Sequence, residues 1–290
     1  ETISRIPPSL QETRRQLALF SRDQRIIPTM HRVHVLVPLD DKAYYSNSEP
    51  RRYGEVVSVN KIQNIVSNTS RCIKQQAAEA VWNTEVHHQT LRHALRKDGD
   101  RMGDDLVDFS SCTSAGIHRQ LLDKRVQAKM VDFCICIHPD AEADTGINTA
   151  IKQLRDASPS ESVNHTDYSV FRNYPIALSI ESKIQDGSEG AATLQIGTWH
   201  AAHWKYLSQH AHKEALNRLE FLPGLIVQGA RWYFLGSTSS DGDTTVWSTQ
   251  LIGETNSEIG AFRVIRAIQY LAWWCAEVYW PWFRANVLNL

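Results

Sequence analysis

Pro175-Ile-Ala-Leu-Ser-Ile-Glu-Ser-Lys-Ile184 decides the fold. Apolar and β-branched residues fill it, and the Gln185-Asp-Gly turn ends it, so it reads as a strand. Successive side chains on a strand take opposite faces, which puts Glu181 and Lys183 on one side and turns Ser182 away. Upstream, Met130-Val-Asp-Phe-Cys-Ile-Cys-Ile-His-Pro139 is a second short strand, stopped by its proline. There Asp132 shares a face with Cys134 and Cys136, while Phe133, Ile135 and Ile137 take the other. A carboxylate on an otherwise apolar strand is costly to bury unless something pairs with it. If the two strands are neighbours, Asp132 and Glu181 converge on a divalent ion and Lys183 lies beside it.

That grouping suits a particular chemistry. Mg²⁺ takes oxygen ligands and keeps several waters, so two carboxylates and a main-chain carbonyl suffice. Such an ion acidifies water and offsets charge on a phosphodiester, and a neighbouring lysine orients the water or stabilises the developing charge.

The rest of the chain supplies elements around this pair. Helical periodicity runs from about Ser70 to Arg96, with Ala78, Val81, Trp82, Glu85, Val86, Leu91 and Leu95 in phase, and Lys97-Asp-Gly-Asp ends it. A helix is expected around Ile147 to Leu154 and a strong one from Glu189 through Gln209. Strands are expected from Gly224 to Gly236 and from Thr244 to Ile252, and an aromatic-rich helix from Ile259 to Phe283. Residues 57–290 then make one α/β domain with a mixed sheet. Residues 1–56, punctuated by Pro and Arg around one amphipathic stretch from Leu10 to Phe20, read as an N-terminal arm or peripheral segment.

Composition narrows the class. With 42% hydrophobic and 22% charged residues, the chain of 290 residues is not a disordered one. A net charge of −1 weighs against a strongly basic nucleic-acid binder but leaves room for a local basic groove. Five cysteines, an odd and sparse set, do not make a disulfide framework. No signal peptide is apparent and the richest apolar run, Tyr270 to Phe283, is too short to span a bilayer, so an intracellular address without a membrane is expected. There is no dinucleotide fingerprint, phosphate-binding loop or nucleophile elbow.

Other residues have ordinary readings. Trp199 and Trp204 read as packing anchors. Cys134 and Cys136 read as small buried apolar groups, and His87 and His88 as residues of a helix surface, one of which could reach the site. His200 and His203 stand at helical spacing without a third zinc ligand at a telling distance.

The surrounding text resembles the PD-(D/E)XK nuclease-like domain of many fungal proteins. The likeness runs through Glu79-Ala-Val-Trp-Asn-Thr-Glu-Val-His, Lys129-Met-Val-Asp-Phe, Ser162-Val-Asn-His-Thr-Asp-Tyr and the Pro175 strand. It continues in Leu194-Gln-Ile-Gly-Thr-Trp-His-Ala-Ala-His-Trp, Ile226-Val-Gln-Gly-Ala-Arg-Trp-Tyr-Phe, Leu271-Ala-Trp-Trp and Trp280-Pro-Trp-Phe. The resemblance implies a restriction-endonuclease-like core, a mixed central sheet flanked by helices. It implies catalytic positions at Glu85, Asp132, Glu181, Lys183 and Gln195. Asp132 and Glu181 would hold Mg²⁺ or Mn²⁺, Lys183 would act on water, Glu85 in the outer shell or on a second ion, and Gln195 in holding the site. Val131 stands where the family name has proline.

Three functions fit these residues. The leading one is a Mg²⁺-dependent phosphodiester hydrolase acting on DNA or RNA. An alternative diverts the scaffold to a small-molecule substrate, as in a biosynthetic pathway, with the same residues as acid and base groups and Trp273, Trp274, Trp280 and Trp282 lining a pocket. A third is a non-catalytic binding module.

Overall fold

The strand that carries Glu181 and Lys183 lies at the centre of the sheet. In the computed structural model, which describes residues 6–35, 37–46, 53–122 and 130–290, β5 (Ile176–Lys183) is buried along all but its last residue. Lys129 of the motif before Asp132 lies outside the described residues, as do positions 1–5, 36 and 47–52 of the N-terminal segment.

Two short strands, β1 (Ile27–Pro28) and β2 (Tyr44–Tyr45), pair with each other near the N-terminus. The main sheet holds β3 (Val107–Ser111), β4 (Phe133–Ile137), β5, β6 (Leu222–Gln228), β7 (Arg231–Ser240) and β8 (Asp243–Val246) in that order, with β9 (Gln250–Glu254) on β7. β5 and β6 run parallel and the other neighbours antiparallel, so the sheet is mixed as expected. A parallel pair needs a long crossover. Here α6 (Glu189–His210) and α7 (Lys213–Leu219) supply it.

The remaining helices are α1 (Pro8–Ser21), α2 (Val59–Lys74), α3 (Glu79–Trp82), α4 (His88–Leu95), α5 (Thr145–Ala157), α8 (Glu258–Trp274) and α9 (Trp280–Asn286). Single π-helical turns, Asn83–His87 and Cys275–Tyr279, join α3 to α4 and α8 to α9. Helices cover both faces of the sheet. Ser237 of β7 meets His200 and Trp204 of α6, while a Cβ at the next residue, Gly236, would fall 2.6 Å from Leu10 of α1. Alternation along β7 therefore puts α1 and α6 on opposite faces.

Several sequence expectations are corrected. The helical pattern from Ser70 to Arg96 is two helices: α2 stops at Lys74, Gln76 turns with φ +46°, and α3 restarts at Glu79. The stretch from Gly224 to Gly236 is a hairpin, because Gly229 adopts φ +55° with Gln185 Cα only 3.0 Å from where its Cβ would sit. The stretch from Thr244 to Ile252 belongs to two strands, and β3 was not expected at all. Trp199 and Trp204 are core residues as read, and so are Cys134 and Cys136. Of the four C-terminal tryptophans, Trp274, Trp280 and Trp282 are buried packing groups.

Helix α1 shares this core. Leu10, Leu17 and Phe20 are at most 1% exposed, and Arg263 of α8 forks onto Asp23 at 2.7 and 2.8 Å just after the helix. Leu10→Ala should therefore cost about 2–5 kcal/mol, the usual loss for a buried leucine. Urea unfolding should stay a single transition with a lower midpoint and an unchanged slope.

Candidate active site

β5 extends past the start of β4, and that stagger builds the site. Asp132 stands just before β4, its main-chain N–H donating to Ile180 O at 3.0 Å. Beyond it the Ser182 N–H has no strand to pair with, and the Asp132 carboxylate takes its place: Oδ2 accepts from Ser182 N at 2.8 Å and from Ser182 Oγ at 2.9 Å. The side chain expected to turn away thus reaches Asp132 from the opposite face. Asn83 of the first π-turn donates from Nδ2 to Asp132 Oδ1 at 3.2 Å.

Glu181 is fully buried in the middle of the strand. Its Oε1 accepts from the Lys183 ammonium, and its Oε2 is buried without a hydrogen-bond partner. Burial pushes the Glu181 pKa up to about 8; the Lys183 hydrogen bond opposes the rise and the Asp132 charge adds to it. Lys183 loses by its own burial, but Glu181, Glu79 and Asp132 outweigh that and raise its pKa. Its ammonium also donates to Ser182 O at 3.0 Å and lies 4.0 Å from Glu79 Oε2. Burial likewise raises the Glu79 pKa.

The structure brings Asp132, Glu181 and Lys183 together. It does not bring Glu85 to them: the Glu85 side chain is exposed and its charge acts on Cys72 of α2. Glu79, six positions earlier, is the carboxylate that faces Lys183. At roughly 100° per residue, two acids six positions apart point in different directions, and the π-turn between them adds a further rotation. Both acids stand in the same motif, so the phase of one helical turn was the deciding signal. Gln195 reaches the site's edge, donating to Met130 O at 2.6 Å, two residues before Asp132.

His87, read as a surface residue, is fully buried between Trp82 and Trp232. Its Nδ1 lies 2.9 Å from Asn83 Oδ1 and its Nε2 2.8 Å from Gly229 O. Burial lowers its pKa to about 4, so the ring is neutral and donates to one of these two acceptors at a time.

A hard cation fits this group. Glu181 Oε2 is a buried ionisable oxygen without a hydrogen-bond partner, and Asp132 adds negative charge that opposes its ionisation, so a positive charge there would be favoured. Among the described residues no three His, Cys, Asp and Glu side chains are grouped to hold an ion alone, so an ion on Asp132 and Glu181 would complete its shell with water.

The mixed sheet thus groups two carboxylates and a lysine around the C-terminal half of β5, an arrangement that fits a nuclease-like α/β domain. The chain belongs to the PD-(D/E)XK nuclease superfamily, whose family model matches residues 35–280. No curated protein and no solved structure matches it. Among the described residues no helix is long and apolar enough to cross a membrane.

The raised Glu181 pKa has a signed consequence. Between its ordinary value of 4.5 and about 8 the folded state holds a proton that the unfolded state has lost, so stability falls as pH rises through that window. Without divalent cations the fall should approach 1.4 kcal/mol per pH unit from this group. Glu181→Gln should flatten it, as read by urea unfolding at pH 5 to 8.

Proposed function

We propose that the protein is a divalent-cation-dependent phosphodiester hydrolase acting on nucleic acid, with Asp132 and Glu181 as the cation ligands and Lys183 as the group that acts on water and phosphate. The observation that carries this reading is the buried Glu181 carboxylate, with one oxygen on Lys183 and the other unpartnered. Superfamily membership supports the nuclease-like chemistry and the nucleic-acid substrate.

Each residue has a physical task. Asp132 is held by Ser182 and Asn83, so its carboxylate is oriented before any ligand arrives. Glu181 favours a bound positive charge because its own ionisation is costly where it stands. Lys183 keeps its proton near neutral pH, being raised by its acidic neighbours, and presents a fixed charge to an oxyanion or an attacking water. Glu79, 4.0 Å from that ammonium, adds to the negative charge that keeps it protonated. A divalent cation, Mg²⁺ or Mn²⁺, would supply charge to offset the phosphodiester transition state and would acidify water. Gln195 fixes the main chain from which Asp132 projects.

Single- and double-stranded DNA and RNA, each with Mg²⁺, Mn²⁺ or EDTA, form the test. Cleavage should require the cation, and Lys183→Ala and Asp132→Asn should each lower kcat by about a hundredfold or more. An inactive wild type on all four substrates sinks the proposal. Glu79→Gln should cost more than Glu85→Gln, since only Glu79 faces Lys183.

A further inference from the structure

The Asp132 carboxylate and the Lys183 main chain are joined by a circuit of polar contacts through Asn83, His87 and Gly229, in which neutral His87 donates from one ring nitrogen at a time. From Asp132 Oδ1 it runs to Asn83 Nδ2 at 3.2 Å, and from Asn83 Oδ1 to His87 Nδ1 at 2.9 Å. From His87 Nε2 it runs to Gly229 O at 2.8 Å, and the Gly229 N–H donates to Lys183 O at 2.9 Å. The peptide from Lys183 to Ser182 closes it: Ser182 N donates to Asp132 Oδ2 at 2.8 Å, and Ser182 Oγ lies 2.7 Å from Asn83 Oδ1 and 2.9 Å from Asp132 Oδ2, its single proton going to one of them at a time.

We propose that Asn83 and His87 form one positioning unit that sets the Asp132 carboxylate relative to the Lys183 main chain. The inference rests on the reading of Asp132 and Lys183 given above. Three observations support it. The first is the π-turn itself: His88 N–H bonds Asn83 O, five positions back, and this turn presents both side chains to the strand ends. The second is that His87 is wedged, with ring centroids 5.8 Å from both Trp82 and Trp232, so its ring has no freedom to leave. The third is Gly229. Its φ of +55° turns its N–H to Lys183 and its carbonyl to His87, and a Cβ there would meet Gln185.

The arrangement has a mechanical logic. Asp132 is carried by the segment leading into β4, and Lys183 by the end of β5, which is paired with Gln228 of β6 on one side and has no β4 residue opposite it on the other. The described ladder between β4 and β5 stops at Phe133 and Ile180, short of both residues. His87 and Asn83, carried by a helix, span that gap from the side. Partners of this kind, outside a cation's own ligands, are worth about 10–100-fold in metal affinity or activity.

The test uses the full chain and the variants Asn83→Ala, His87→Phe and their double, each checked for native fold by near-UV circular dichroism. His87→Phe keeps the ring between the two tryptophans and removes both polar contacts. Should it fail to fold, Asn83→Ala at its partly exposed position carries the test. Mn²⁺ affinity is read by titration calorimetry without substrate, and kcat and KM on the nucleic acid that the wild type cleaves. Each single variant should weaken Mn²⁺ binding and lower kcat by about tenfold, with KM within about twofold. The double should lose no more than the worse single, because the two act in series. Folded variants that bind Mn²⁺ and cleave like the wild type overturn the proposal and leave the site itself standing. Losses that multiply in the double overturn the claim of one unit. A wild type that neither binds Mn²⁺ nor cleaves overturns the reading of the site and this inference with it, and does so before any substitution is made.

Discussion

A carboxylate in the middle of a sheet is the constraint from which the rest of the site follows. Glu181 stands on a central strand and is fully buried, and ionising it there costs enough to lift its pKa to about 8. A fold retains such a group when something offsets the cost. Lys183, two residues along the same strand, is the offset within the chain, and it satisfies one oxygen only. The other is left buried and open. The pair is therefore incomplete in the sense that matters for chemistry, because a positive charge brought to it lowers the free energy of a state the fold already contains.

The second device is the stagger between strands. Where β4 has not yet begun, the N–H of Ser182 has no backbone partner, and a buried N–H left alone is costly. Asp132 answers it with a carboxylate oxygen in place of a carbonyl. One interaction thus satisfies the sheet and aims the acid. The π-turn works in the same way: an extra residue in a helical turn is a local departure from the α-helix, and here it delivers Asn83 and buried His87 to the strand ends. Sheet edge and helix irregularity meet at one place, and they hold the acid and the lysine together from two directions.

These devices need rigid surroundings. α6 lies against one face of the sheet through Ile196, His200 and Trp204, and α1 with α8 lies against the sheet through Leu10 and Val264, all buried. Close packing on both faces is what lets hydrogen bonds near 3 Å fix the carboxylate of Asp132.

The sequence by itself determined the strand alternation that pairs Glu181 with Lys183, the second strand that Asp132 immediately precedes, and the mixed α/β class. All three are local or periodic properties, written in the spacing of apolar residues. It also marked the motif holding Glu79 and Glu85, but the facing acid depended on helix phase, and phase was set by a π-turn that no residue spacing announces. The burial of His87 and the use of Ser182 against Asp132 were decided by tertiary structure alone. Each depends on which segments lie side by side across tens or hundreds of residues, as His87 and Gly229 do over 142 positions. Pairings at that distance are fixed by how the whole core packs, and a local pattern carries no record of them.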